Sequence, residues 1–165
     1  MKTYLVDIIR TYRSYKALGE AAMAQVSDAD LLAQIDPDSN SIAIIVKHLA
    51  GNLRSRFTDF LTTDGEKPDR DRDGKFELGE GASRDDIMRW WASGWDVALA
   101  SIEALAPDDL ERTIHIRGEA FLVVEALNRL VTHAAYHVGE IVLLAKHFAG
   151  PRWKSLSIPK KSSNP

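Results

Sequence analysis

The chain has 165 residues, of which 45% are hydrophobic and 27% are charged, and its formal net charge is -3. This composition is typical of one globular domain with its own core, and the mildly negative charge argues against nucleic acid as the main partner. The absence of cysteine excludes disulfides, thiol nucleophiles and cysteine-ligated zinc, so any metal must be held by His, Asp or Glu.

The N-terminal segment predicts neither a secretion signal nor a membrane anchor. Asp7, Arg10, Arg13 and Lys16 interrupt its apolar pattern, whereas a signal peptide needs an unbroken apolar stretch. No run in the chain approaches the roughly 20 apolar residues of a membrane-spanning helix. We therefore expect a cytoplasmic protein without a membrane partner.

Apolar residues recur at helical spacing in four stretches, at about 3–25, 42–62, 83–105 and 119–148. Ser41 and Ser83 are suited to cap the second and third helices, and Gly150 and Pro151 end the fourth. The link at 113–118 is suited to a brief extended segment. The pattern predicts an all-α four-helix bundle at 1–150, with long connections between helices one and two and between helices two and three. A basic tail at 151–165, interpreted as a solvated end, follows the bundle.

Trp90, Trp91 and Trp95 lie within six positions of the predicted third helix. Three indole rings so close in sequence cannot all face one small core. We therefore expect one or two of them at a dimer surface.

The long connection at 65–81 contains a calcium-binding pattern. Asp69, Asp71, Asp73, Gly74 and Glu80 match the EF-hand loop spacing D-x-D-x-D-G-x5-E. An EF-hand also needs one helix that enters the loop and another that leaves it, and glycine and proline on both sides disfavour those helices. Arginines between the aspartates would also offset their charge. We interpret this stretch as a solvated or lid-like loop.

His133 and His137, in the sequence H-A-A-Y-H, are the strongest chemical signal in the chain. Residues four apart on a helix lie on the same face, so both imidazoles can point at one spot. The pair interrupts an apolar stripe, and His48 lies close to apolar positions of the second helix. Buried imidazoles are costly unless their nitrogens find partners, and a shared metal would satisfy one nitrogen of each ring. Separate, hydrogen-bonded histidines are the alternative, because the sequence does not show whether the two helices face each other.

Two other metal motifs are excluded. The H-A-A-Y-H sequence lacks the glutamate of the H-E-x-x-H zinc proteases, and the paired Glu-x-x-His motifs of di-iron bundles are missing. Asn52, four residues after His48, and Glu140, three residues after His137, are candidates to orient a ligand or to complete the site. Glu140 could equally form an ordinary interhelical salt bridge.

The lone His48 of the second helix, followed by His133-x3-His137-x-Gly139 in the last helix, forms a pattern similar to that of the DinB-like superfamily. Segments 41–67 and 151–159 resemble a bacterial branch of it whose function is uncharacterised. The resemblance covers most of the chain. It implies a four-helix bundle, frequently homodimeric, with one divalent metal, often nickel or zinc, held by three histidines. By position, the ligands would be His48, His133 and His137.

The resemblance also implies a class of activity, because relatives include mycothiol-dependent maleylpyruvate isomerase and bacillithiol S-transferases. Three neutral imidazoles would leave a bound metal an open position, where a low-molecular-weight thiol or a water would lose its proton. Carboxylates of such a thiol would need arginines. The candidates are Arg54, Arg56, Arg70, Arg72 and Arg152. We therefore expect a metal-dependent enzyme with a small-molecule substrate and a pocket bordered by the 65–81 loop. A non-catalytic metal-binding or dimeric interaction module is the alternative.

Overall fold

The computed structural model describes residues 1–67 and 81–158 of the chain. Its helices are α1 (Lys2–Met23), α2 (Asp28–Leu32), α3 (Ile42–Phe57), α4 (Arg84–Glu103) and α5 (Val123–Ala149), and its strands are β1 (Thr113–Ile116) and β2 (Glu119–Leu122). Short 3-10 helices cover Pro107–Glu111 and Gly150–Arg152. The mostly helical content is consistent with the all-α prediction. Within the described part of the chain, no helix combines the length and hydropathy that a membrane span requires.

Several sequence features lie outside the described residues. They are the EF-hand-like residues Asp69, Asp71, Asp73, Gly74 and Glu80, the arginines Arg70 and Arg72, and the lysines Lys160 and Lys161. The prediction that 65–81 forms a solvated or lid-like loop therefore stays a prediction beyond residue 67.

The long helices contact one another in a closed order: α1 with α4, α4 with α3, α3 with α5, and α5 with α1. Helices α1 and α5 run parallel. Tyr4 near the start of α1 donates to Asn128 near the start of α5, and Gln25 just after α1 donates to the carbonyl of Lys154 beyond the end of α5. Each end of α1 therefore lies beside the matching end of α5.

Helices α3 and α4 also run parallel, since Gly94 lies against Ala50 and Ser101 donates to the carbonyl of Phe57 at the end of α3. Parallel neighbours need a crossover connection, which explains why the link between α3 and α4 is long. The other long connection runs from α1 to α3. It contains the short helix α2, which the sequence analysis missed and which begins with a capping box between Ser27 and Asp30.

An aromatic cluster lies where α1, α3 and α4 meet. The Tyr12 ring packs edge-on against Phe57 and Trp95, at centroid distances of 5.9 and 6.0 Å, and Trp91 lies 5.3 Å from Trp95. All four side chains are fully buried. Two of the three tryptophans thus lie in the core, whereas Trp90 is half-buried, with the Lys47 ammonium 5.7 Å from its ring.

Two predicted helix boundaries were wrong. The second long helix, expected to reach residue 62, ends at Phe57, because Thr58 is extended and Asp59 turns the chain with a φ of 49°. The Asp59 carbonyl then accepts the backbone N–H of Thr62 and of Thr63. The last helix, expected from residue 119, begins at Val123. Residues 119–122 form β2 instead, while the predicted extended segment at 113–118 contains β1. The N-caps expected at Ser41 and Ser83 are confirmed.

Strands β1 and β2 form an antiparallel hairpin whose turn residues, Arg117 and Gly118, both have positive φ. Such a two-residue turn suits the twist of a hairpin. The segment after α3 braces the hairpin. The Gly65 N–H donates to the carbonyl of His115, and the buried Arg56 guanidinium donates to the Gly65 carbonyl at 2.6 Å and pairs with Glu66 at 3.0 Å. Arg56 therefore holds the hairpin against the end of α3.

The Asp64 carboxylate fastens the turn of this hairpin. It accepts the backbone N–H groups of Glu66, Arg117 and Gly118 at 2.6, 2.9 and 2.8 Å. These hydrogen bonds, first those from Glu66 and Gly118, lower the pKa of Asp64 below its usual range. Asparagine at this position would place an amide N–H against a backbone N–H.

We expect Asp64→Asn to lower the free energy of unfolding by about 1 kcal/mol at pH 7. Because the folded-state pKa is depressed, the stabilisation is present above the unfolded-state pKa, near about 4, and is lost as the pH falls through the folded-state value. Urea unfolding at neutral and acidic pH measures this difference, with Asp96→Asn on the exposed face of α4 as the control. A deficit that stays constant down to acidic pH would contradict the role of the carboxylate.

Candidate metal centre

Helices α3 and α5 bring the three predicted histidines together. His48 lies on α3, and His133 and His137 lie one turn apart on α5. Each offers one ring nitrogen, and these nitrogens lie within 4.8 Å of one another. The ring centroid of His48 lies 5.7 Å from that of His133 and 4.8 Å from that of His137. The sequence did not show whether the two helices face each other, and in the structure they do.

The spacing of these nitrogens fits a shared metal ion. The Nε2 atoms of His133 and His137 are 3.2 Å apart. Two nitrogens on one zinc ion, each bonded at about 2.1 Å, lie about 3.0–3.4 Å from each other, depending on the coordination geometry. The same distance also fits a hydrogen bond between the two rings. All three side chains are partly buried, and imidazole suits zinc, nickel and copper as a ligand.

Glu140 contacts the other nitrogen of His137. Its Oε2 lies 2.7 Å from His137 Nδ1, within the same helix. A carboxylate in this position favours the tautomer with the proton on Nδ1, so that the Nε2 lone pair points toward His133. The contact that the structure shows for Glu140 therefore lies within α5 and involves a candidate ligand, and its role in orienting that ligand stays a prediction.

Tyr136 adds a phenol to this group. Its ring packs edge-on against His137 at a centroid distance of 4.9 Å. A hydrogen bond to Glu140, together with the negative charge of Glu140, raises the pKa of Tyr136. The phenol therefore stays protonated through neutral pH. The carboxylate of Glu140 is thereby shared between Tyr136 and His137, although the sequence analysis did not single out Tyr136.

Asn52 lies one turn after His48 on α3 and is buried. Its side-chain oxygen has no hydrogen-bond partner among the described residues. A buried amide oxygen without a donor is costly, so it offers an acceptor for a bound water or ligand group. The described contacts do not connect Asn52 with the histidines.

The structure describes three of the arginines proposed to hold a thiol's carboxylates, and two of these three are engaged elsewhere. Arg54 is exposed and donates to Ser93 on α4. Arg56 is committed to Gly65 and Glu66 under the hairpin. Arg152 follows α5 in a 3-10 turn and is exposed. The histidine cluster therefore does not gather Arg54 or Arg56.

A cavity of about 300 Å³ lies beside Glu140. It is lined by Asp38, Ser39, Asn40, Ile45, Glu140, Leu143 and Leu144. The expected border at the 65–81 loop is not found at its described end, since Gly65 lies instead against Ile116 and Arg56 at the hairpin. The described wall comes from the loop before α3, which periodicity could not single out because residues 33–40 carry no helical pattern.

A sequence model of the family described as protein of unknown function DUF1572 matches residues 1–162, nearly the whole chain. The chain belongs to the DUF1572 family. No curated protein and no solved structure matches it. The DUF1572 match spans all three histidines and the cavity residues, so the candidate centre lies within the part of the chain that the family shares.

Proposed function

We propose that this DUF1572 protein binds one divalent transition metal through His48, His133 and His137, within a four-helix bundle of the DinB-like type. The convergence of three ring nitrogens within 4.8 Å, from helices distant in sequence, carries the proposal. The contact of Glu140 with His137 supports it, because metal-binding histidines commonly donate their second nitrogen to a carboxylate. The closed contact order of α1, α4, α3 and α5 supports the bundle. Nickel and zinc are the metals proposed.

We further propose that the centre is catalytic and acts on a small molecule. When bound, a metal held by three neutral imidazoles supplies a Lewis acid with an open position, which lowers the pKa of a thiol or a water. The chain's part is to position its own groups. Glu140 holds the His137 ring, Tyr136 offers a protonated phenol beside that ring, and the cavity admits a molecule next to Glu140. Thiol transfer and hydrolysis are the two reactions that this arrangement favours.

Metal analysis tests the premise. Protein supplemented with zinc or nickel and then desalted is expected to retain one equivalent per chain. Cobalt loading is expected to produce visible absorption bands typical of nitrogen coordination. A protein that retains none of the three metals would contradict the proposal.

A turnover screen tests the catalytic part. The metal-loaded and chelator-treated forms would be compared with small thiols plus an electrophile, and with activated esters in the absence of thiol. We expect turnover in one of these assays, and only with metal present. Equal rates for the two forms would contradict a catalytic metal.

The second candidate function is a non-catalytic metal-binding or dimeric interaction module. Tyr136 and Leu143 favour it, because these large side chains on α5 are 63% and 65% exposed beside the site. We propose a homodimer on the basis of the family resemblance and of this apolar exposure. A metal-loaded dimer in light scattering, combined with no turnover of any thiol or ester, would favour the module over the enzyme.

A further inference from the structure

The cavity beside Glu140 has a lining whose charge and shape specify a class of ligand. Asp38, Ser39 and Asn40 contribute oxygen-rich groups to the lining, and Ile45, Leu143 and Leu144 contribute aliphatic side chains. Among the described residues that line it, none is basic. With a volume of about 300 Å³, it lies at the small end of the range for ligand pockets.

The cavity lies on the α3 N-terminal side of the histidine cluster. Ile45, one turn before His48, lines it from α3, and Glu140, one turn after His137, lines it from α5. Glu140 touches the cavity and the His137 ring at once. A molecule in the cavity would therefore lie beside the proposed metal centre.

The two acidic side chains of the lining, Glu140 and Asp38, differ in their contacts within the described chain. The Glu140 carboxylate lies 2.7 Å from the His137 ring nitrogen Nδ1. The Asp38 carboxylate is exposed, whereas the Asp38 backbone N–H donates to the Asp36 carboxylate. Asp38 is thus a counter-charge that the described residues do not neutralise.

The loop that carries Asp38 is held in place by its own hydrogen bonds. The Ser39 hydroxyl accepts the backbone N–H groups of Ile35 and Asp36 at 3.1 Å and donates to the Asp36 carbonyl. Gln34 donates to the Ser39 carbonyl. The polar wall of the cavity is therefore formed before any ligand arrives, which reduces the entropic cost of binding.

We infer that this cavity binds a small molecule with a cationic amine on a short aliphatic body. The amine would lie toward Asp38 and Glu140, and the aliphatic body would cover Ile45, Leu144 and the exposed Leu143. A carboxylate-bearing thiol would bring negative charge to a lining whose described residues already hold two carboxylates, Asp38 and Glu140, and no basic group. The cavity thus favours an aminothiol or another amine over an anionic thiol. As a substrate site this inference rests on the proposed function, whereas amine binding itself does not.

Nuclear magnetic resonance of metal-free, chelator-treated protein tests the inference independently of the metal. Butylamine and butyrate, which share the aliphatic chain and differ in charge, are the probes. We expect butylamine to shift the backbone amides of residues 38–40 and the methyl groups of Leu143 and Leu144, with a millimolar dissociation constant. We expect butyrate to leave these signals in place.

Asp38→Asn is expected to weaken butylamine binding about three- to fivefold, as for the loss of an exposed ion pair. Asp108→Asn makes the same change of charge on the 3-10 turn before β1, and it is expected to have no effect. The inference is overturned if butyrate shifts the same signals as strongly, if butylamine shifts none of them, or if Asp38→Asn binds as well as the wild type. If butylamine binds but the protein retains no metal after supplementation, the cavity inference is upheld and the metal proposal is contradicted.

Discussion

Replacing His137 by alanine is expected to lower the affinity for zinc or nickel by more than about a hundredfold. Removing a carboxylate that orients a ligand typically costs about ten- to a hundredfold, and removing the ligand itself costs more. His137 is also the ring that connects the other groups, through His133 at 3.2 Å and Glu140 at 2.7 Å. Competition with a chromophoric chelator measures the affinity directly.

Thermal unfolding provides a second measurement of the same substitution. A ligand at about a hundred times its dissociation constant stabilises the folded state by about 2.7 kcal/mol. Added metal is therefore expected to raise the Tm of the wild type and to leave the Tm of His137→Ala unchanged. Because each protein is compared with itself, a general loss of stability in the variant does not obscure the result.

Two further substitutions on α5 complete this test. Glu140→Gln is expected to weaken metal binding about ten- to a hundredfold, since the amide is a poorer acceptor for the His137 Nδ1–H. His147→Ala removes an exposed imidazole at the end of α5, which contacts Phe148 rather than the cluster, and is expected to bind metal as the wild type does. Equal losses in His147→Ala and His137→Ala would show that the metal binds nonspecifically to histidines.

The candidate centre could be predicted from the sequence only in part. The i,i+4 spacing of His133 and His137 requires nothing but helical geometry, so that pair was a local prediction. The addition of His48 needed the packing of α3 on α5, which depends on the buried faces of both helices and on the connections between them. Periodicity alone does not determine this packing, so His48 was a candidate partner from its place on the second helix, and the family resemblance supported it.

The elements that were missed share a physical reason: each depends on contacts that are distant in sequence or on turn chemistry. Residues 119–122 have side chains compatible with a helix. The turn at Arg117 and Gly118, where φ is positive, instead folds them back onto β1, and Asp64 fastens that turn. The cavity was missed because its described lining comes from three separate parts of the chain, at 38–40, at 45 and at 140, 143 and 144. The burial of Trp91 also depends on a contact distant in sequence, since Gly19 leaves room on α1 for the Trp91 ring and lets it enter the core.

Replacing Gly94 by alanine is expected to destabilise the protein by about 2 kcal/mol. An added Cβ would lie 2.6 Å from the Ala50 Cα, 3.0 Å from its carbonyl oxygen and 3.1 Å from its Cβ. Two of these atoms belong to the backbone of α3, so relief requires α3 and α4 to move apart. Overpacking typically costs about 1–3 kcal/mol, and a clash with backbone atoms places this one at the upper end, whereas the better helix propensity of alanine offsets about 1 kcal/mol. Urea unfolding followed by circular dichroism measures the change.

Gly139→Ala is the matched control, because it makes the same substitution inside a long helix where nothing lies within 4 Å of the added Cβ. Only the helix propensity then acts, and we expect a gain of about 0.5–1 kcal/mol. The opposite signs separate close packing from helix propensity, since propensity alone would make both substitutions stabilising. A loss for Gly139→Ala, accompanied by loss of a dimer in light scattering, would mean that a second chain approaches α5 beside Tyr136 and Leu143. A gain for Gly94→Ala would show that α3 and α4 are not held as closely as the structure requires.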